Sequence, residues 1–127
     1  MFHIHTKNDL VYLASDVLEN GAIVHGFSTR KGGVSPTPWD SLNLDDRRGD
    51  NLANVQENFR RLCTALDTDV QRAVLSRQVH RSDVRRVTAV DCGKGLRGII
   101  QFLDLIVVSA AITGIAGIDH LLFDIIT

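Results

Sequence analysis

The sequence predicts an α+β fold: a mixed or antiparallel sheet with one main helix, residues 51–66, packed on it. Three observations carry that expectation. β-rich runs outnumber helical patterns along the chain, one segment alone sustains a helical apolar stripe, and prolines and glycines concentrate in a single long stretch between them. A length of 127 residues, 44% of them hydrophobic and 23% charged, fits one globular domain spanning residues 1–127.

Taken in order, "MFHIHTKNDL" has polar residues where a signal peptide needs its apolar centre, so no leader is expected. "GAIVHGFST" supplies a strand near 23–29 and runs into "RKGGVSPTPWDSLNLDDRRGD" (30–50). That stretch holds both prolines and three glycines without lasting periodicity and is read as a long loop, a length that usually has a function. Asp50 is placed to cap the helix that follows, where Leu52, Val55, Phe59, Leu62, Cys63 and Leu66 recur at three-to-four spacing. Further strands are expected near 73–80, 83–90, 104–109 and 119–126, with a turn in "DCGKGLRG" (91–98). The apolar stretch 99–127 contains Gln101, Asp104, Asp119, His120 and Asp124, so it reads as buried strands rather than a membrane span.

Fourteen Lys and Arg against 15 Asp and Glu leave a net charge of -1, which gives no electrostatic reason to expect a nucleic acid or membrane partner and favours small molecules. Cys63 and Cys92 are too few for a disulfide framework and read as free thiols, which suits the cytoplasm. Cys63 lies on the helix stripe as a core residue. Cys92, beside Lys94, reads mainly as a turn residue, with a reactive thiol as the alternative.

Three segments carry chemistry. In "FSTRKGGVS", Gly32 and Gly33 can turn consecutive N–H groups toward one point beside Arg30 and Lys31, forming an anion nest; the plainer alternative is a tight turn with two solvated cations. In "SRQVHRSDV", His80 sits between two β-rich segments, either as a metal ligand or proton carrier or as a histidine that has found a hydrogen bond. His120 follows Asp119 at the start of an apolar strand, where a polar pair must be paired, ligated or at the sheet rim. The cluster "DDRRGD" reads as a solvated loop.

Together "HGFSTRKGGVSPTPWDSLNLDDRRGDNLANVQENFRRLCTAL" and "LSRQVHRSDV" resemble the N-terminal half of the laccase-domain proteins, the YfiH-like or polyphenol oxidase family, many of which act as purine nucleoside phosphorylases. The resemblance rests on Phe-Ser-Thr-Arg with Gly-Gly-Val-Ser, on Ser-Leu-Asn-Leu, on Gly-Asp before a helix carrying Val55 and Asn58, and on Gln-Val-His. It is close over residues 21–90 and faint from 103 onward, where "LDLIVVS" is similar to the family's Ala-Asp-Ala-Leu-Val-Thr strand.

The resemblance implies a metal, zinc with copper as the alternative, held by the histidine of Gln-Val-His, the cysteine of an Ala-Asp-Cys strand and the histidine of a His-Ala-Gly-Trp-Arg-Gly motif. His80 matches the first, His120 stands in the cysteine's place after Asp119, and the third has no match. His80 and His120 are therefore the implied metal-binding and catalytic residues, and Arg30, Gly32, Gly33 and Asn43 the implied substrate-binding ones. The implied activity is phosphorolysis of adenosine- or inosine-type nucleosides, with adenosine deamination beside it, acting on purine nucleoside and phosphate and impaired by truncation. Two other readings remain: a non-catalytic remnant or interaction domain, and a copper-dependent polyphenol oxidase, against which stands the lack of a Cys-His pairing.

Overall fold

The computed structural model describes residues 1–18, 24–75 and 88–95, and the backbone of Leu121–Phe123. By internal contact the chain falls into two compact units, Met1–Asp69 and Val70–Thr127.

The first unit begins with a hairpin of β1 (Phe2–Lys7) and β2 (Leu10–Ser15), antiparallel from Phe2↔Ser15 to Lys7↔Leu10. Asn8 and Asp9 form its two-residue turn with φ of 51° and 66°. Both thus take the left-handed conformation that a hairpin turn matching the strands' twist requires, and Asn and Asp tolerate it better than other side chains. β3 (Phe27–Ser28) joins the other edge of β2 through Leu13↔Phe27 and Tyr12↔Ser28. The strand expected at 23–29 thus shortens to its last third; residues 24–26 are irregular and residue 23 lies outside the described residues.

Residues 30–50 form no helix or strand, as expected, and lead into α1 (Leu52–Ala65). Its cap is Asn51 rather than Asp50: the Asn51 side chain accepts a hydrogen bond from the Ala53 N–H at 3.0 Å. At the far end Thr68 N–H donates to Cys63 O and Asp67 N–H to Thr64 O, with Asp67 at φ 54°. This is the Schellman arrangement, with aspartate where glycine is usual. The helix buries Val55, Phe59, Leu62, Cys63 and Ala65, and packs on β2, where Leu10 and Ala14 are buried. Alternating strand residues facing a helical stripe make this the α+β arrangement expected, with an antiparallel sheet.

In the second unit β4 (Ala73–Leu75) is wholly buried and pairs in parallel with β5 (Leu121–Phe123), Val74 opposite Leu122. Gly93 N–H donates to Ala73 O at 2.8 Å and Leu75 N–H to Lys94 O at 3.0 Å, so residues 91–95 of the turn expected at 91–98 lie along β4, with Gly93 and Gly95 at positive φ; residues 96–98 lie outside the described residues. The strand expected at 83–90 is corrected at its end. Residues 89–91 form a 3-10 turn, because the Asp91 carboxylate accepts the Thr88 N–H at 2.9 Å while the Asp91 N–H returns to Thr88 O. Residues 76–80, 83–87, 104–109, 119–120 and 124–126 of the expected strands lie outside the described residues. No helix among the described residues is long and apolar enough to cross a membrane.

Candidate functional site

Four of the six candidate residues, Arg30, Gly32, Gly33 and Asn43, lie in the 30–50 loop, and the fold around them explains why a 21-residue segment without secondary structure is ordered. The two glycines are packed backbone to backbone. A Cβ on Gly32, which sits at φ +91°, would collide with Leu10 Cα and the Asp9 carbonyl; one on Gly33 would strike the Ser41 carbonyl. Their polar groups are engaged too. Gly33 N–H donates to Ser41 Oγ at 3.1 Å, Val34 N–H donates to Asn58 Oδ1 at 2.8 Å, and Gly32 O accepts from Arg61 Nη1 at 3.1 Å. The Gly33 and Val34 N–H groups therefore do not face an anion, and in this structure the double glycine holds the loop close rather than forming the expected nest.

Asn58 is the fastening point, and sequence reading left it without a role. It is 0% exposed on the apolar side of α1. Its Oδ1 takes the Val34 N–H; its Nδ2 donates to Ser35 Oγ at 2.8 Å, to Asn43 O at 2.8 Å and to Ser41 O at 3.3 Å. One amide thus ties four residues of the loop to the helix, and burial is tolerable because donor and acceptor are both matched. Ser35 Oγ passes the chain on to Asp50 Oδ2 at 2.6 Å. The signal in the sequence was a polar residue between Val55 and Leu62 on an otherwise apolar stripe.

Asp50 gathers the loop's other end. Besides Ser35 it accepts Asn43 Nδ2 at 3.0 Å, the Asn51 N–H at 2.7 Å and Asn54 Nδ2 at 3.2 Å. The Ser35 hydroxyl is foremost in holding its carboxyl below the usual range, with the amides adding to it. Asn43 closes an Asx turn, accepting the Asp45 N–H at 3.0 Å while its amide donates to Asp45 O and Asp50. "DDRRGD" is accordingly more ordered than a solvated loop. Asp45, its side chain 11% exposed, accepts the Arg47 N–H, Arg47 Nε and Arg48 Nε at 3.0–3.1 Å. Burial opposes its ionisation, and these donors outweigh it, leaving the carboxyl low.

Arg30 differs from its neighbours. Its carbonyl accepts Ser41 N–H, Leu42 N–H and Ser41 Oγ, which fixes the main chain, while the guanidinium stands on the surface, 72% exposed. Nε and Nη2 rest on the Asp40 carbonyl at 2.7 and 2.5 Å and Nη2 touches Asp40 Oδ2 at 3.1 Å. Nη1 has no partner among the described residues. Among the four loop candidates, only Arg30 presents a charged donor group to the outside.

His80 and His120 lie outside the described residues. Among the described residues no group of three or more His, Cys, Asp or Glu is placed to hold a metal ion. Cys63 is a core residue as expected: burial pushes its thiol up to about 11. Away from the loop, His5, Tyr12, Ala14, Val24, His25, Ala65, Leu66 and Asp67 line an open cleft of about 210 Å³, where His25 Nε2 accepts the Ser15 N–H at 2.8 Å.

Comparison with known proteins places this loop and helix in a known context. The sequence profile of a family described as multi-copper polyphenol oxidoreductase laccase matches residues 24–118. The purine nucleoside phosphorylase YlmD of Bacillus subtilis is 38% identical over 78 residues, covering 61% of this chain and 28% of that protein. The purine nucleoside phosphorylase YfiH of Escherichia coli is 48% identical over 61 residues, covering 48% of this chain and 25% of that one. The crystal structure of YlmD from Geobacillus stearothermophilus superposes with a TM-score of 0.69 at 29% identity, over 81% of this chain and 37% of the other. The matches thus span about a quarter of the length of these curated relatives.

Proposed function

The chain belongs to the multi-copper polyphenol oxidoreductase laccase family, and from that premise we propose that it carries the phosphate-side loop of a purine nucleoside phosphorylase. The observation that supports this reading most directly is the 30–50 loop: Asn58, Arg61 and Asp50 hold it in shape while the Arg30 guanidinium stands outward. In phosphorolysis, phosphate attacks the anomeric carbon while the bond to the purine breaks, the sugar passes through an oxocarbenium-like state, and the departing base takes up a proton. A positioned arginine offers phosphate a forked, permanently charged donor set. Gly32, Gly33 and Asn43 serve that site by holding the loop in shape, through the close approach and the Asx turn already described.

The small-molecule substrates in this reading are phosphate and an adenosine- or inosine-type nucleoside, with deamination of adenosine as a second reaction, and the protein works in the cytoplasm. Zinc, with copper as the alternative, is the metal it takes, and His80 and His120 are its candidate ligands. A metal bound there would supply Lewis acidity or activate water. A catalytic zinc site needs three protein ligands as a rule. His80 and His120 provide two, which underlies the expectation that turnover by this chain is slow or absent without a third.

The test incubates the protein with adenosine or inosine, with and without phosphate, and follows free base and pentose 1-phosphate by chromatography, alongside elemental analysis for zinc and copper. Base release that requires phosphate and drops in Arg30→Ala is the expected result. No base release under either condition, together with no bound metal, overturns the enzyme reading and leaves a non-catalytic family member; copper with a visible absorption band would point to oxidation of polyphenols instead.

A further inference from the structure

Arg30 and Asp40 meet twice, once through the Asp40 main chain and once through its side chain. The Asp40 carbonyl oxygen accepts both Nε and Nη2 of Arg30, at 2.7 and 2.5 Å, so one edge of the planar guanidinium is held by a single backbone atom. That carbonyl lies in a fastened segment: the Trp39 N–H donates to Pro36 O, and the Ser41 and Leu42 N–H groups both donate to Arg30 O. Arg30 is thus anchored by backbone contacts at its own carbonyl and at its head group, although the side chain is 72% exposed.

The edge that remains lies between Nη1 and Nη2, where a guanidinium can meet two oxygens of one anion. Nη1 has no partner among the described residues, but Nη2 also reaches the Asp40 carboxylate, Oδ2 at 3.1 Å. A carboxylate oxygen on that prong stands where one oxygen of a bidentate anion has to sit. The contact is longer than the 2.7–2.9 Å of a strong charge-assisted bond, and the Asp40 side chain is 47% exposed, so a more highly charged anion can displace it. The displacement leaves the carbonyl hold on Nε and Nη2 in place, because the two contacts use different atoms of Asp40.

We propose that Asp40 sets the anion selectivity of the Arg30 site: its carbonyl orients the guanidinium, and its carboxylate is a built-in competitor that an arriving anion must displace, which favours phosphate over singly charged anions such as acetate. This role rests on the phosphate-binding function given to Arg30 above and adds the residue that tunes it. Two effects of the carboxylate oppose each other. Its ion pair helps to steady the guanidinium, yet the main hold is the carbonyl, which every substitution at position 40 retains. Its negative charge repels an anion seated on the same fork. Repulsion therefore wins, and removing the carboxylate tightens phosphate binding.

Calorimetric titration with inorganic phosphate, at fixed ionic strength because exposed charges are screened, compares the parent with Asp40→Asn, Asp40→Ala, Arg30→Ala and the double variant Arg30→Ala/Asp40→Asn. Urea midpoints check that each variant folds. Phosphate should bind about three- to tenfold more tightly in both Asp40 variants, the size expected for one exposed charge at contact distance in water. Added acetate should compete with phosphate more effectively in those variants than in the parent, and the gain should vanish in the Arg30→Ala background. Unchanged or weaker phosphate binding in both Asp40 variants overturns the competitor role; if Arg30→Ala still loses phosphate, the function of Arg30 survives that result. No phosphate binding by the parent or by either Asp40 variant overturns both. Tighter binding in the Asp40 variants without phosphate-dependent release of base leaves the competitor role standing and overturns phosphorolysis alone.

Discussion

Replacing Asn58 by alanine removes the buried side chain that ties α1 to four residues of the 30–50 loop, and its cost can be worked from its partners. Four hydrogen bonds are lost, yet they are not equivalent. Ser41 O keeps the Ser35 N–H at 2.9 Å, and Ser35 Oγ keeps Asp50. The Val34 N–H and the Asn43 carbonyl lose the partners that Asn58 gave them. An unsatisfied buried donor costs about 1–3 kcal/mol and a lost neutral hydrogen bond about 0.5–1.5 kcal/mol, so the expected loss is about 2–4 kcal/mol. Urea unfolding measures it as a lower midpoint at unchanged slope. Hydrogen exchange locates it, because the Val34 amide should lose protection far more than amides in the middle of α1. Asn58→Asp separates hydrogen bonding from volume. An ionised carboxylate accepts from Val34 but cannot donate to Ser35, Ser41 or Asn43, so its folded-state pKa rises above the unfolded value near 3.9. Relative to the parent, that variant should be least destabilised at low pH and lose stability as pH rises through its folded pKa. A loss below about 1 kcal/mol in Asn58→Ala, with Val34 still protected, would refute the clamp.

Gly32→Ala and Gly49→Ala compare two glycines at positive φ in different surroundings. Gly49 has only Trp39 at 3.8 Å, so it should lose about 1–2 kcal/mol from backbone strain alone, whereas Gly32, crowded by Leu10 and Asp9, should lose clearly more in thermal melts. Glu57 is held at about 2, chiefly by hydrogen bonds from Arg60 and then Arg61. Its folded pKa is depressed, so its contribution is present above the ordinary carboxyl value of 4.5 and lost as pH falls toward 2. Because the pair is largely exposed, Glu57→Gln should cost only about 0.3–0.5 kcal/mol at pH 7 and flatten the acid limb of the stability profile. Cys63, buried and pushed up to about 11, should react with a thiol reagent at pH 8 only as fast as the protein unfolds. Arg30→Ala should weaken phosphate binding by about 1.5–3 kcal/mol in calorimetric titration, while leaving the urea midpoint within about 0.5 kcal/mol of the parent.

How much of this was legible in the sequence varies with the kind of signal. α1 announced itself because its apolar residues recur with helical period and face one core, and the 30–50 loop because prolines and glycines leave no period at all. The β1–β2 hairpin went unread although "FHIHTKNDLVYLAS" alternates and places Asn-Asp at the turn. Its first strand carries histidines on the helix side and its apolar residues on the other, so alternation did not point at a helix-facing core. Ala89–Asp91 misled in the opposite way: "RRVTAV" has β-branched composition, but a short-range exchange between Thr88 and Asp91 decides its conformation, and composition does not report a three-residue hydrogen bond.

The site was legible as a place more than as a mechanism. A double glycine beside an arginine pointed to a functional loop, but the directions of the Gly33 and Val34 N–H groups are fixed by groups 8 and 24 residues away, Ser41 and Asn58. Glycine permits a nest and equally permits close backbone approach, and only the surrounding packing decides which occurs. Here Asp9 and Leu10 press on Gly32 and Ser41 and Leu42 on Gly33, which engages the Gly33 N–H and fixes the Arg30 main chain. In the function proposed above, the anion-directed role belongs to the Arg30 side chain rather than to backbone amides. That assignment has a measurable consequence: a backbone nest would survive Arg30→Ala with much of its phosphate affinity intact, whereas a site centred on the guanidinium would not. Lysine at position 30 discriminates further, since it restores charge without the fork and should recover part of the affinity if charge dominates and little if bidentate geometry does.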